Sequence, residues 1–240
     1  MKKEYIYCLM SILAVIIGII FAICGVLLQT NPLFSGSALL ILSIVLILVG
    51  IASFAVNYKK YHIVTNLCQH KSPIIAHWTY KPNSSKIINN LIKEQKSNSS
   101  ATATLFLILS IIFCIVFAYS GGTTVLYTGY ILAVLCVCIY IISLRFISTY
   151  YEQLLNKETE VIFGEDCFYF LNELYECQRG YHFLEKVTVF KGDENHLIFA
   201  YGLYDVDEPP AYIVTIPIPN SKLHTAEHIK SYYMDLIKPE

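Results

Sequence analysis

Hydrophobic positions along this 240-residue chain follow two regimes. Four stretches are continuously apolar: 5–28, 38–56, 104–119 and 125–147. A helix needs roughly 20 apolar residues to cross the hydrocarbon of a bilayer. Three stretches meet that length, and the third does so once 101–104 are counted with it. Backbone groups in lipid must be paired within their own segment, so each stretch predicts a helix. The uncharged connections 29–37 and 120–124 make these helices two tight hairpins.

Elsewhere the pattern alternates with period two, as on a half-buried strand. In "SPIIAHWTYKP", Ile74, Ala76, Trp78 and Tyr80 fall on one predicted face, and Ile75, His77 and Thr79 on the other. From Tyr150 onward, "TEVIF", "CFYFL", "LYECQ", "HFLEKVTVF", "HLIFAYGLY" and "AYIVTIPI" read as short strands. "GED", Asn172-Glu173, "KGDEN" and "DVDEPP" separate them as turns or loops. Asn220 or Ser221 can cap a final helix reaching about Ile237, its apolar face marked by Leu223, Ile229, Tyr233 and Leu236.

The expected fold class is therefore an α+β membrane protein: four transmembrane helices and a small antiparallel β domain closed by a C-terminal helix. Its parts are a first hairpin (1–58), a connector (59–100), a second hairpin (101–149) and the β domain (150–240). Within the connector, 75–80 is expected to add an edge strand to the β domain, burying Trp78. Residues 84–96, with Ile87, Ile88, Leu91 and Ile92 on one side, form an expected amphipathic helix. Trp78 and Tyr80 also suit an interfacial aromatic anchor.

Charge orients this plan. The connector carries seven lysines and one glutamate, and Lys2 and Lys3 precede the first helix. The positive-inside rule places the connector and both termini in the cytoplasm of an inner membrane. The first run exceeds the ~7–15 apolar residues of a signal peptide and reads as an uncleaved helix. The tail from Tyr150 holds sixteen of the eighteen acidic residues against seven Lys and Arg, a net of −9. That charge repels an anionic leaflet and points to the connector, or to a cytoplasmic protein, as its partner. A nucleic-acid partner is not expected.

Composition agrees, with 55% hydrophobic residues and a mean hydropathy of +0.54. The eight cysteines include no CxxC pair, and five lie in apolar runs, so they read as packing residues. The spans lack Asp, Glu, Lys and His, which counts against an ion-coupled pump. They do carry small-residue stripes: Ser11, Ala14, Gly18, Ala22 and Gly25; Ser110, Cys114 and Ala118; Gly129, Ala133 and Cys136. Such stripes let helices approach closely, inside the bundle or at a homo-oligomer seam.

The order "WTYKP", amphipathic helix, membrane hairpin, "VIFGEDCFYF" and "VTIPIPNSKLHTAEHIKSYY" resembles the YcxB-like bacterial membrane proteins, over about 74–233. The resemblance implies a pleckstrin-homology-like cytoplasmic domain. It brings no reaction and no catalytic residues.

Candidate chemistry is sparse. "HTAEH" has the H-x-x-E-H spacing of one zinc peptidase class, with His224 and His228 as ligands and Glu227 as base. Only twelve residues follow it, of which Asp235 and Glu240 are candidates for a third ligand. His62, Cys68, His70 and His77 are zinc-type ligands in no standard spacing. Asp205, Asp207 and Glu208 lack the glycine of a calcium loop. No metal or cofactor is expected. The expected function is a membrane-anchored binding, scaffold or sensor module without catalysis. The alternatives are an oligomeric channel or transporter subunit and, remotely, a zinc hydrolase.

Overall fold

The computed structural model describes residues 3–27, 36–120, 122–179, 182–203 and 212–237. Among these, four helices are long and apolar enough to cross a membrane: α1 (Lys3–Leu27), α2 (Gly36–Cys68), α3 (Lys86–Ser120) and α4 (Gly122–Leu155). Strand β1 (Ile74–Tyr80) lies between α2 and α3. After α4 come β2 (Thr159–Gly164), β3 (Cys167–Phe170), β4 (Glu173–Glu176), β5 (Gln178–Arg179), β6 (His182–Phe190), β7 (His196–Leu203), β8 (Tyr212–Pro217) and helix α5 (Leu223–Ile237). The chain divides into two units, Met1–His62 with Gln95–Tyr150, and Ile63–Glu94 with Tyr151–Glu240.

Three helices overrun the lengths that hydropathy suggests. α2 continues through Cys68, and the separate helix expected at 84–96 is instead the first part of α3. At 33 residues α2 is roughly 50 Å long, well beyond a ~30 Å hydrocarbon layer. The reason is local: after Val56 the side chains turn polar, but no proline or glycine interrupts the backbone before Cys68. α2 stops in a Schellman motif. Lys71 N–H donates to the Asn66 carbonyl (2.9 Å), and His70 N–H to that of Leu67 (3.2 Å). His70 occupies the left-handed position, with φ 54°. α3 starts on Ser85, whose carbonyl accepts from Asn89 N–H and whose hydroxyl accepts from Ile88 N–H at 3.4 Å.

In the first unit, α1 and α2 interlock through small residues seven apart. Ser11, Gly18 and Gly25 on α1 match Gly36, Ser43 and Gly50 on α2. A Cβ added at Gly18 would lie 2.8 Å from Ile47 Cγ1 and 3.1 Å from the Ser43 carbonyl. One at Gly25 would lie 3.0 Å from the Gly36 carbonyl, and one at Gly50 would lie 3.0 Å from that of Ser11. The Ser11 hydroxyl bonds Ser53 Oγ at 2.9 Å, and Asn57 bonds the Ser53 carbonyl at 2.8 Å. The second hairpin is joined by hydrogen bonds from Thr104 Oγ1 to Tyr140 Oη (3.1 Å) and from Lys96 to Ser148 (3.1 Å).

Among the described residues, the second unit holds two four-stranded antiparallel sheets, in the orders β1-β2-β3-β4 and β5-β6-β7-β8. The small antiparallel β domain expected from the sequence is thus divided into two sheets, with the corner at Cys177. Its N–H donates to the Asp166 carbonyl (2.9 Å) and its carbonyl accepts from Leu184 N–H (2.7 Å), so one residue bonds on both sides of the corner. β3 and β4 join in a two-residue turn, Leu171-Asn172, with φ 49° and 60°. Those angles suit the right-handed twist of a hairpin.

The inner faces pack Trp78, Phe163, Phe168 and Phe199 together. Trp78 meets Phe163 edge-on at 4.9 Å, and Phe168 meets Phe199 at 4.3 Å. α5 lies against β6 and β1 and buries Ala226, Ile229 and Tyr233. Tyr233 Oη donates to the carbonyls of Gly164 (2.7 Å) and Cys167 (3.1 Å). The expected face of α5 needs correction, because Leu236 is 40% exposed and Ala226 is fully buried. Its expected cap needs correction too. Lys222 supplies the first carbonyl, to Ala226 N–H, while Asn220 and Ser221 lie in the preceding turn from Pro219.

Candidate functional site

The junction around β1 places Trp78 and Tyr80 in the core of the second unit. β1 pairs antiparallel with β2, with Trp78 opposite Val161 and Tyr80 opposite Thr159. Trp78 is 2% exposed, as its alternation predicts. It is therefore a core residue and not an interfacial anchor. Tyr80 is buried and donates its hydroxyl to the Pro217 carbonyl at the end of β8, linking the edge strands of the two sheets. Burial pushes the Tyr80 hydroxyl pKa well above its usual value.

One part of the β1 pattern is overturned. Ile74 does not share the Trp78 face, because a bulge between Ile74 and Ala76 resets the alternation. Ile74 packs instead in a second apolar cluster on the opposite face of the first sheet, with Val64 and Leu67 of α2, Ile162, Tyr169 and Leu174. A Cβ at Gly164 would lie 2.8 Å from Leu67 Cδ1, so glycine lets the end of α2 approach the sheet. Both faces of β2 are thereby covered, which explains its unbroken apolar "VIF".

The small-residue candidates of the first unit lie elsewhere. Gly18 and Gly25 are buried and face α2, and Ala22 is half-buried. This part of the stripe is used inside the hairpin. Gly129 is buried and Ala133 half-buried on α4. The side chain of Ala118 lies outside the described residues. Reading α1 alone misses the matching heptad of Gly36, Ser43 and Gly50, which was visible as a small residue every seventh position.

The candidate metal motifs are dispersed. Cys68 packs in the cluster at the end of α2, His70 ends that helix, and His77 is exposed on β1. His70 and His77 have ring centroids 6.1 Å apart, and His77 Nε2 lies 3.7 Å from Glu160. His62 is exposed on α2 in the other unit. His224 and His228 are exposed on α5, but the Glu227 carboxylate faces Lys191 (3.3 Å) and Lys230 (3.7 Å). Among the described residues, no group of three His, Cys, Asp or Glu side chains is placed to hold a metal ion. Asp205, Asp207 and Glu208 lie outside the described residues.

Two thiols of this unit, Cys167 and Cys177, are shifted toward their protonated form. Burial, with Glu176 and Asp166 nearby, pushes the Cys167 pKa up to about 11. Burial, with Cys167 and Asp166, pushes that of Cys177 up to about 12. Both stay protonated near neutral pH.

A feature that sequence reasoning missed sits at the start of α3. Glu194, in the β6–β7 turn, accepts from the Ser85 hydroxyl at 3.1 Å and from Lys86 N–H at 3.3 Å. The partners are 109 and 108 residues apart, so no local pattern could reveal the contact. Beside it, a polar pocket lined by Lys81, Asn83, Asn89 and Lys157 has room for about one water.

No family model matches this chain, and no curated protein or solved structure matches it either.

Proposed function

We propose that this protein is an integral membrane protein whose sheet domain faces the cytoplasm and serves as a binding or sensing module without catalysis. One observation carries the membrane reading. Large apolar side chains point outward along all four long helices, among them Leu48 (63% exposed), Phe106 (65%) and Ile142 (68%). Contiguous apolar surface of this extent calls for a lipid covering. The seven connector lysines favour a cytoplasmic sheet domain and cytoplasmic termini in an inner membrane.

Two four-stranded antiparallel sheets closed by one helix support a pleckstrin-homology-like reading of that domain. They fit the YcxB-like resemblance. The net −9 of the tail favours a cytoplasmic protein partner over an anionic headgroup or nucleic acid. Two observations favour a non-catalytic reading: the Glu227 carboxylate faces Lys191 and Lys230, and burial raises the Cys167 and Cys177 thiol pKa values.

Reporter fusions at the C-terminus and in the 120–124 connection test the topology. The first should report cytoplasm and the second the opposite side, and a C-terminus outside the cytoplasm would defeat the reading. Affinity capture with the full chain in detergent tests the module. It should retain a discrete cytoplasmic protein that Trp78→Ala loses.

A further inference from the structure

We propose that the β6–β7 turn, residues 191–195, is a latch that couples α5 to the start of α3. The turn is held at three points. Its Glu194 carboxylate caps α3 through the Ser85 hydroxyl and Lys86 N–H. Lys191 pairs with Glu227 on α5 at 3.3 Å. The Asn195 carbonyl accepts from Ile218 N–H at 2.7 Å, at the segment that leads into α5.

The turn is also bonded within itself. Gly192 N–H donates to Asn195 Oδ1 (3.3 Å), His196 Nδ1 lies 2.9 Å from the Glu194 carbonyl, and the His196 ring stacks on Phe190 at 4.6 Å. A turn bonded at both ends and within itself offers a continuous network through which a displacement at one end can reach the other. If α5 moves, Lys191 releases, the turn shifts, and the carboxylate leaves the orphan N–H groups of α3. Ser85 alone then caps the helix.

The electrostatics suit a reversible contact. The Lys191 side chain is 62% exposed and that of Glu227 42%, so their pair is weak and easily broken. The bonds of Glu194 to Ser85 and to the first turn of α3 are charge-assisted and hold better. The latch lies wholly within the sheet domain, so it holds or fails independently of the membrane reading.

Amide hydrogen exchange of the full chain in detergent tests this at Lys86–Asn89. Glu194→Gln should speed exchange there about three- to tenfold, as for a lost charged cap. Lys191→Met and Glu227→Gln, which break the α5 end by separate routes, should each speed it about two- to fourfold. Neither should add to Glu194→Gln in the double variant, because the coupling passes through that carboxylate. Lys191→Arg should restore the wild-type rate. Unchanged Trp78 emission checks that each variant is folded. If Lys191→Met and Glu227→Gln both leave the start of α3 unchanged, the turn is a static cap and the latch is overturned. Full additivity with Glu194→Gln overturns it equally.

Discussion

At Trp78 burial and hydrogen bonding pull in opposite directions. The indole is 2% exposed and packs on Phe163, yet its Nε1 finds no hydrogen-bond partner among the described residues. Its large apolar area stabilises the core, and the unpaired donor offsets part of that gain. Trp78→Ala should therefore cost about 3–5 kcal/mol. Trp78→Phe should cost under about 1.5 kcal/mol, since it removes the orphan donor with a modest loss of volume. Circular dichroism melts of the full chain measure both, and equal losses would contradict this balance. Period-two alternation made Trp78 legible, because its neighbours Ala76 and Tyr80 obey the same rule. Ile74 was not legible, because a bulge resets the alternation and leaves no mark in the residue types. The buried thiols add a pH dependence. Burial pushes the Cys167 thiol up to about 11 and the Cys177 thiol up to about 12, against 9.0 for an ordinary thiol. Their protonated form favours the folded state, so this stability is complete below pH 9 and is lost as pH rises from 9 through about 11–12. Melting temperatures should be flat in this respect up to pH 9 and fall above it. Cys177→Ala should soften the fall, and an unaltered slope would remove this thiol as a cause.

At the scale of elements, packing between helices and not hydropathy sets the hairpin geometry. α1 and α2 meet at small residues seven apart, a spacing that keeps one seam facing the partner helix. Gly50 is the tightest point. An added Cβ would lie 2.7 Å from Val15 Cγ2 and 3.0 Å from the Ser11 carbonyl, where backbone cannot yield cheaply. Gly50→Ala should destabilise the hairpin by about 1–3 kcal/mol. Ser53→Ala, which removes the bond to Ser11, should cost only about 0.6 kcal/mol. Unfolding of the full chain in denaturing detergent ranks the two, and a larger loss for Ser53→Ala would refute the close-approach account. Helix existence was legible here from four apolar runs, but helix length was not. Hydropathy reports solvent, whereas a helix continues wherever nothing breaks it. Tyr58 to Cys68 contains no breaker, and the Schellman motif at His70 ends α2 without the usual glycine.

At the scale of the whole molecule, the second unit is discontinuous in sequence. It combines Ile63–Glu94 with Tyr151–Glu240, so the second apolar hairpin interrupts it. β2 and β3 hold six buried apolar residues, Val161, Ile162, Phe163, Phe168, Tyr169 and Phe170, and part of their covering comes from what precedes that hairpin. Without β1, the β2 edge loses its ladder from Ile74 to Tyr80 and the core loses Trp78. Without the end of α2, Ile162 and Tyr169 lose Val64 and Leu67 from their outer face. Two unpaired surfaces, one a strand edge and one an apolar patch, are a recipe for aggregation. A fragment of residues 151–240 should therefore be insoluble or molten, with dispersed amide signals absent. Joining residues 63–94 to 151–240 through a flexible linker restores both surfaces and should give a cooperatively melting, soluble domain with blue-shifted Trp78 emission. Loop closure through such a linker costs little compared with the ladder and core regained. If 151–240 folds alone with native-like dispersion, β1 is an accessory strand, and the coupling of helix ends to the sheets loses its physical basis.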